Sequence, residues 1–350
     1  MHIEPFTVRL DPPLETARGT IRNREGFLVT VEYQGTDGIG EATPLPGWTE
    51  SLEECRDALD RSRAVGDELD WGVALAKLDA PAARHGLSLA FAEANARANE
   101  RPLYRYLDAG ERGANDHAAD GVVESVPVNA TLGAHTTPAE SARVAPQRVK
   151  EGYSCLKLKV GSQSVEDDLE RVRAIRDAVE DVDIRVDANG AWTVDEASRA
   201  LEGLAALDVE YVEQPLPTAA LEATCSLREQ GVDIALDESL AAHDVETILD
   251  LGAADVLVIK PMVVGGPDIA REAASQCRAA GVEPVISTTV DAVVARTAAV
   301  HVAASIPDVG PCGLATGDRL STDLVPDPAP VSEGRITVPQ QPGLGLEVRP

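Results

Sequence analysis

CLKLK at residues 155–159 is the first of five short apolar runs in this chain that each end on a charged residue. The others are DIRVD (183–187), VEYVE (209–213), DIALD (233–237) and DVLVIK (255–260). Each run has the length of a buried strand, and amphipathic stretches with the spacing of helices separate the runs. Strands that alternate with helices in this way predict an α/β fold with a parallel sheet.

The charged residues that end these runs are evenly spaced along the chain. They are Lys159, Asp187, Glu213, Asp237 and Lys260, at intervals of 28, 26, 24 and 23 residues. Each interval is close to one strand–helix unit, so the five side chains occupy equivalent positions on neighbouring strands. In a barrel of such units these positions meet at the carboxyl end, where active sites are built. An uncompensated buried charge costs several kcal/mol, so five in register indicate a functional site.

Three further runs raise the number of predicted strands to eight. They are SVPVNATL (125–132), EPVISTT (283–289) and the short CGLAT (312–316). Thr137 and Thr193 each stand three residues before a glutamate, which is the pattern of a helix N-cap with a capping box. Eight strands with intervening helices predict a (β/α)8-type TIM barrel. An open doubly wound sheet is the alternative, although it does not require this number of strands.

The first hundred residues have a different pattern of apolar and polar residues. Alternating apolar and polar residues, as in GFLVTVEYQG (26–35), are followed by a long helical stretch from Ser51 to about Asn99, which is an α+β pattern. A polar, glycine-rich segment at 110–121 then indicates a domain boundary.

This change of sequence pattern predicts a division of the chain into three parts. We expect an α+β domain at residues 1–122 and the barrel at residues 123–322. The segment 323–350 is rich in proline and too short to form its own core, so we expect it to return to the N-terminal domain.

Charge and composition narrow the possible partners. The 350 residues include 31 basic and 59 acidic ones, a formal net charge of −28. Such a surface repels nucleic acid and anionic membranes, which we exclude as partners. An acidic surface with so few lysines is similar to surfaces adapted to high salt. The five cysteines form no C-x-x-C motif, and the sequence shows neither a signal-peptide pattern nor a membrane-spanning apolar run. We expect a cytoplasmic protein, and a homo-oligomer is compatible with the sequence.

Three of the aligned charges are carboxylates, on Asp187, Glu213 and Asp237. Carboxylates that converge on one point repel one another unless a cation neutralises them. All-oxygen ligands without histidine or cysteine favour Mg²⁺, or Mn²⁺, over Zn²⁺, and three protein ligands leave positions open for a carboxylate substrate. A structural ion-pair network with lysine or arginine is the alternative.

The lysines are unusual because they are so few. The chain has only Lys77, Lys150, Lys157, Lys159 and Lys260. Lysine can act as a base when neighbouring cations lower its pKa, whereas arginine stays protonated. Lys157 and Lys159 are two apart on one strand and face the same side. A metal beside such lysines predicts proton abstraction next to a carboxylate.

The sequence resembles the enolase superfamily, in its muconate-lactonizing subgroup, over essentially its full length. The matching motifs are Lys157-x-Lys159, VDANGAW (186–192), VEQP (212–215), ALDES (235–239) and IKP (259–261). The resemblance implies a modified TIM barrel, (β/α)7β, with an α+β capping domain formed by the N-terminal region and the C-terminal tail.

The same resemblance implies roles for six residues. Asp187, Glu213 and Asp237 would be ligands of Mg²⁺. Lys159 would be the base, Lys260 would be the lysine on the opposite face, and Asn189 would support the site.

Within this subgroup the sequence is most similar to the o-succinylbenzoate synthases of menaquinone biosynthesis. REGFLV (24–29) and GEATPLPGWTES (40–51) resemble their cap loops, and PVISTT (284–289) and GLATGDRLSTDLV (313–325) resemble their last two strands. The implied reaction is a lyase reaction: Mg²⁺-dependent dehydration of 2-succinyl-6-hydroxy-2,4-cyclohexadiene-1-carboxylate to o-succinylbenzoate through an enediolate.

In that reaction Lys159 would take the proton and return it to the departing hydroxyl, and Lys260 would make a cation–π contact. A hydroxyl of Ser287, Thr288 or Thr289 would meet the substrate carboxylate. Thr316 is a further candidate for substrate contact.

Other members of the superfamily are the rival hypotheses. An N-succinylamino acid racemase would use the same two lysines, and a muconate cycloisomerase is more distant. Dipeptide epimerases hold an α-ammonium group with an Asp-x-Asp motif on the eighth strand, where this chain has Leu314-Ala315-Thr316. An inert barrel would be expected to have lost a lysine or a metal ligand, and all five residues are present.

Overall fold

A three-stranded antiparallel sheet opens the structure, a computed structural model that describes residues 1–16, 19–68, 71–112 and 121–347. Its strands are β1 (His2–Thr16), β2 (Gly19–Tyr33) and β3 (Thr36–Ala42), paired in that order. Four helices follow: α1 (Leu52–Glu68), α2 (Trp71–Ala76), α3 (Pro81–Ala98) and α4 (Leu103–Arg112). The predicted long helical stretch is thus divided, and α3 begins at Pro81 because Ala80 before it has an extended conformation.

Helix α3 lies directly on the sheet because two glycines of β3 leave room for it. A Cβ atom at Gly40 would stand 1.9 Å from the carbonyl oxygen of Gly86, and one at Gly38 would stand 2.0 Å from that of Ala90. Helix and strand backbones therefore touch at these points. This close packing makes β3 and α3 one rigid unit of the N-terminal domain.

Strands and helices then alternate along the chain. The strands are β4 (Ser125–Pro127), β5 (Ala130–Leu132), β6 (Cys155–Lys159), β7 (Asp183–Asp187), β8 (Val209–Glu213), β9 (Asp233–Leu236), β10 (Val256–Ile259) and β11 (Glu283–Ile286). The helices are α5 (Pro138–Lys150), α6 (Val165–Ala178), α7 (Val194–Ala205), α8 (Leu221–Cys225), α9 (Val245–Leu251), α10 (Pro261–Val264), α11 (Pro267–Ala279) and α12 (Val293–Ala304). Thr137 and Thr193 form the predicted capping boxes at the starts of α5 and α7.

Strands β5 to β11 form one parallel sheet in chain order. Two bridges complete the ring: Gly313 pairs with Ser287 beyond β11, and Cys312 pairs with Val128 before β5. The predicted eighth strand is reduced to these bridges, because the backbone turns after Gly313, where the N–H of Thr316 donates to the carbonyl oxygen of Leu314 at 2.8 Å. The fold is the predicted modified TIM barrel with an α+β domain before it.

The C-terminal segment contacts both parts of the molecule. Strands β12 (Val331–Ser332) and β13 (Arg335–Thr337) form a small sheet with β4. Farther along, Gly343 exchanges backbone hydrogen bonds with Arg101 and Leu103, at 2.9 and 2.8 Å. The polar segment on which the boundary at 122/123 depends lies mostly at 113–120, outside the described residues, so the exact division stays a prediction.

The two faces of these strands differ. Leu156, Leu158, Val186 and Val212 are fully buried in the main hydrophobic core. Lys157, Lys159, Asp187 and Glu213 alternate with them along the strands and therefore point to the opposite face. Within the described ranges, no helix combines the length and apolar character needed to span a membrane.

Candidate active site

The five charged residues lie at one end of the barrel. Lys159, Asp187 and Glu213 are the last residues of β6, β7 and β8, and they are register partners in turn. Asp237 and Lys260 directly follow β9 and β10. The structure therefore brings these sequence-predicted residues together at the barrel mouth.

Lys159 and Lys260 enter the mouth from opposite sides. In the sheet order, three strands separate β6 from β10. The seven strands and the segment that bridges them at Cys312 and Gly313 make a ring of eight positions, so a separation of four steps is half of the circumference. A substrate at the centre of the mouth would therefore meet one lysine on each face.

The two lysines of β6 share one carboxylate oxygen. Asp187 Oδ2 is 2.6 Å from Lys159 Nζ and 2.9 Å from Lys157 Nζ. Lys157 also donates to Glu213 Oε1 at 2.6 Å. Lys159 is the most exposed of the three active-site lysines, with 33% of its side chain accessible, so it is the one that a ligand can reach most directly.

Lys260 is held by a carboxylate and by an aromatic ring. Its Nζ donates to Asp237 Oδ2 at 2.6 Å and lies 3.6 Å from the ring centroid of Trp48. Trp48 belongs to the loop between β3 and α1, so the N-terminal domain contributes to the site. The sequence motif GWTES contained this residue, but no periodicity or spacing pointed to its contact with Lys260.

Asn189 and Glu238 extend the network. Asn189 accepts a hydrogen bond from Lys159 Nζ at 2.9 Å and donates to Glu238 Oε1 at 2.8 Å. Its backbone has a φ of 45°, a left-handed conformation that asparagine tolerates better than most residues. Glu238 was not among the predicted site residues; the adjacent acids in ALDES were the only signal for it.

The carboxylates differ in proton affinity. Burial and the negative charge of Asp187 raise the pKa of Glu213 to about 8, although Lys157 counteracts them. Burial acts on Asp187 too, but the ammonium groups of Lys157 and Lys159 outweigh it and hold the pKa of Asp187 well below its usual range. Burial raises the pKa of Asp237, which Lys260 only partly offsets.

The site contains four carboxyl groups and three lysine side chains. The ammonium groups of Lys157, Lys159 and Lys260 face the carboxylates of Asp187, Glu213, Asp237 and Glu238. Three buried oxygens, Glu213 Oε2, Asp237 Oδ1 and Glu238 Oε2, have no hydrogen-bond partner. Such oxygens are rare in native proteins unless an ion or water satisfies them.

The donor set therefore fits a hard divalent cation such as Mg²⁺ or Mn²⁺. Among the described residues, no three carboxylates lie close enough together to bind one metal ion as they stand. The site carboxylates pair with the lysines instead, and each ammonium group neutralises the carboxylates nearest to it.

The predicted hydroxyl residues lie beyond β11. Thr288 Oγ1 and Thr316 Oγ1 are 3.1 Å apart, and Ser287 donates to the carbonyl oxygen of Gly313 at 3.2 Å. Thr289 instead hydrogen-bonds to Asp291. The structure thus joins Ser287 to Gly313, which closes the ring, and Thr288 to Thr316, and it directs Thr289 to a neighbouring carboxylate.

Family models match most of the chain. Residues 140–350 match the model described as enolase C-terminal domain-like, and residues 5–94 match that of the MenC N-terminal domain. The chain belongs to the enolase superfamily.

Several members of the superfamily are similar to this chain. A hydrophobic dipeptide epimerase from Enterococcus faecalis is 30% identical over 100% of this chain and 95% of its own. An o-succinylbenzoate synthase from Thermobifida fusca is 38% identical over 65% of this chain and 73% of its own. An N-succinylamino acid racemase from Thermus thermophilus is 28% identical over 100% of this chain and 95% of its own.

A solved structure of the superfamily gives the same picture. The dipeptide epimerase from Enterococcus faecalis, complexed with Mg and the dipeptide L-Leu-L-Tyr, superimposes with a TM-score of 0.82 at 29% identity. The match covers 98% of each chain. The superfamily membership is thus evident in sequence and fold, while its members named here catalyse different reactions.

Proposed function

We propose that this protein is a Mg²⁺-dependent lyase that dehydrates 2-succinyl-6-hydroxy-2,4-cyclohexadiene-1-carboxylate to o-succinylbenzoate. The observation that carries the proposal is the pair of lysines on opposite sides of a carboxylate-lined barrel mouth. Lysines so placed can remove a proton from one face of a bound carboxylic acid and stabilise the charge that develops on the other.

In this proposal Lys159 is the base and then the acid. Its free amine takes the proton from the carbon next to the substrate carboxylate, and the electron pair left behind is delocalised into that carboxylate. The bond between carbon and the leaving hydroxyl then breaks as Lys159 returns the proton to it. The products are o-succinylbenzoate and water, and Lys159 is regenerated as the free amine.

Lys260 has an electrostatic role. It remains an ammonium group on the opposite face, held by Asp237 and Trp48, and stabilises negative charge as the proton leaves. Asn189 positions Lys159 by accepting its hydrogen bond. Asp187, Glu213 and Asp237 would hold the Mg²⁺, which supplies positive charge to the substrate carboxylate and so makes the adjacent carbon more acidic.

Two comparisons favour the dehydration over other reactions of the superfamily. The N-terminal domain matches the MenC model, and relatives named o-succinylbenzoate synthase reach 36–38% identity. The MenC match, at residues 5–94, includes Trp48. Because the N-terminal domain covers the barrel mouth, similarity there bears on the substrate more directly than similarity in the barrel.

Racemisation of N-succinylamino acids is the second candidate. A racemase needs a base on each face of the substrate, and Lys159 and Lys260 are placed for that. The relative from Thermus thermophilus matches over the whole chain. Dipeptide epimerisation is less favoured, because Leu314-Ala315-Thr316 offers no carboxylate for the ammonium group of a dipeptide.

The deciding experiment compares the two reactions in one protein preparation. The purified protein, with Mg²⁺ and high salt, is assayed for dehydration by ultraviolet absorbance and for exchange of the α-proton of N-succinylamino acids in deuterated water. We expect dehydration to have the higher kcat/KM. Rapid exchange without dehydration would assign the protein to the racemases instead.

A further inference from the structure

Helix α12 of the barrel begins without a cap from its own segment. Ala292, at its N-cap position, has no side chain that could accept a hydrogen bond. Two carboxylates from elsewhere in the chain fill this role. Glu41, on β3 of the N-terminal domain, accepts from Ala292 N at 2.9 Å and from Ala295 N at 2.8 Å, and Asp323 accepts from Val293 N at 2.9 Å. Glu41 is fully buried. A residue of one domain thus caps a helix of the other.

The loop before this helix is strained and held from the same side. Val290 has a φ of 60°, a left-handed conformation that is a genuine outlier for a β-branched residue. Arg24, on β2, donates to the carbonyl oxygen of Val290 at 3.3 Å and lies 3.8 Å from Asp291. Thr288 Oγ1 accepts from Val290 N at 3.3 Å. The conformation of Val290 therefore depends on residues of the N-terminal domain.

Arg24 also binds the strand end that carries Glu41. It donates to the carbonyl oxygens of Thr43 and Pro44, at 2.8 and 3.0 Å, and is itself buried. Thr43 donates its hydroxyl to Glu41. These buried contacts connect the segments around Glu41, Arg24 and Val290 in one hydrogen-bond network.

We propose that Glu41 and Arg24 are positioning residues, which fix the loop at 287–292 so that Thr288 stays at the barrel mouth beside Thr316. This inference rests on the proposed function, and it takes Thr288 as the one of the three candidate hydroxyls that contacts the substrate carboxylate, because Ser287 is bound to the Gly313 carbonyl and Thr289 to Asp291. It identifies a route by which the N-terminal domain acts on substrate binding without contact between Glu41 or Arg24 and the substrate.

The first test is Glu41→Gln, which keeps the shape of the side chain and removes its charge. Loss of a charge-assisted helix cap should displace Thr288, so we expect KM and the dissociation constant of o-succinylbenzoate to rise roughly tenfold. We expect kcat to change much less. A fall in kcat at constant KM and constant product affinity would contradict the inference.

Glu93→Gln is the matched control. Glu93 is also a buried glutamate of the N-terminal domain, but its partners are Ile39, Arg97 and the backbone of Leu344 rather than the start of α12. It should lower stability without changing KM. Equal effects of the two variants on KM would mean that Glu41 acts through general stability of the domain, which would overturn the proposal.

A double-mutant cycle separates positioning from a merely structural role. Thr288→Val removes the hydroxyl through which Glu41 is proposed to act. In that background Glu41→Gln should raise KM by less than about twofold, since coupled residues are non-additive. Full additivity of the two effects would show that Glu41 does not act through Thr288.

Hydrogen exchange tests the positioning whatever reaction the enzyme catalyses. The backbone amides of residues 287–297 should exchange faster in Glu41→Gln than in the wild type. Arg24→Lys replaces this variant if Glu41→Gln does not fold. In the control Glu93→Gln the exchange of these amides should not change. Unchanged exchange in Glu41→Gln or its replacement would overturn the inference. Absence of dehydration in the wild-type protein would instead overturn the proposed function, and the cycle would then use the N-succinylamino acid substrate.

Discussion

Lys260 Nζ lies 3.6 Å from the ring centroid of Trp48, so an aromatic residue of the N-terminal domain faces a lysine of the barrel mouth. The loop that carries Trp48 is closed by its own hydrogen bonds, from Trp48 N to the Leu45 carbonyl and from Leu45 N to Thr49 Oγ1, both at 2.9 Å. The indole therefore reaches the site from a defined turn. This contact restricts where the ammonium group can lie.

We expect Trp48→Leu to lower kcat/KM, because it removes the aromatic face that holds Lys260 in place. A cation–π contact contributes about 0.5–2 kcal/mol, which corresponds to roughly a two- to thirtyfold loss. Trp48→Phe keeps an aromatic face and should lose less. Steady-state kinetics of both variants measure this, and equal activity of Trp48→Leu and the wild type would exclude a role for the ring.

Lys159→Arg should reduce kcat by about a hundredfold or more, because the side chain stays positive but can no longer release a proton to become a base. The same substitution at Lys77, an exposed lysine, is the matched control and should leave kcat unchanged. Single-turnover measurements locate the loss in the chemical step. Turnover of Lys159→Arg within tenfold of the wild type would remove Lys159 from the proposed mechanism.

Mg²⁺ should stabilise the chelator-treated protein against heat. A ligand at a hundred times its dissociation constant contributes about 2.7 kcal/mol, so we expect the unfolding midpoint to rise by several degrees. Glu213→Gln should abolish the rise. Glu210→Gln, on the same strand, should retain it, since Glu210 pairs with Arg185 away from the site. Calorimetric titration measures Mg²⁺ binding, and thermal unfolding measures the rise of the midpoint. If Glu213→Gln binds Mg²⁺ as tightly as the wild type, Glu213 is not a metal ligand.

Much of the barrel and its charged mouth follows from local sequence signals. Lys159, Asp187 and Glu213 end buried strands, and a parallel sheet in chain order necessarily places such ends side by side. The period-two spacing of Lys157 and Lys159 was enough to predict one shared face, and both lysines do contact Asp187. These are short-range patterns repeated at a regular interval.

Contacts between the two domains could not be predicted in the same way. Glu41 and Ala292 are 251 residues apart, and neither belongs to a pattern that indicates the other. The approach of Trp48 to Lys260 depends likewise on how the N-terminal domain packs on the barrel. The eighth strand was predicted as a run of five residues, but backbone pairing at its position is limited to Cys312 and Gly313.

His301 is a buried histidine at the junction of three segments. It lies on α12, its Nδ1 accepts from the backbone N–H of Tyr104 at 3.3 Å, and its ring stacks on that of Tyr104 at 6.1 Å between centroids. Its Nε2 is 3.4 Å from the carbonyl oxygen of Leu344 in the C-terminal segment. Burial lowers the pKa of His301 from 6.5 to about 4.

This lowered pKa predicts a loss of stability in acid. Between pH 6.5 and 4 the unfolded chain binds a proton at His301 that the folded protein does not, so the free energy of unfolding falls as the pH falls, by roughly 3 kcal/mol over this range. His301→Gln cannot titrate and should be less sensitive to this change. The quantity to measure is therefore the difference in free energy of unfolding between the wild type and His301→Gln, from denaturant titrations at several pH values. This difference in free energy of unfolding should become smaller toward pH 4. The control is His135→Gln, at an exposed histidine, which should leave the pH dependence of the free energy of unfolding as it is in the wild type. A difference that stays constant with pH would show that His301 titrates alike in the folded and unfolded protein.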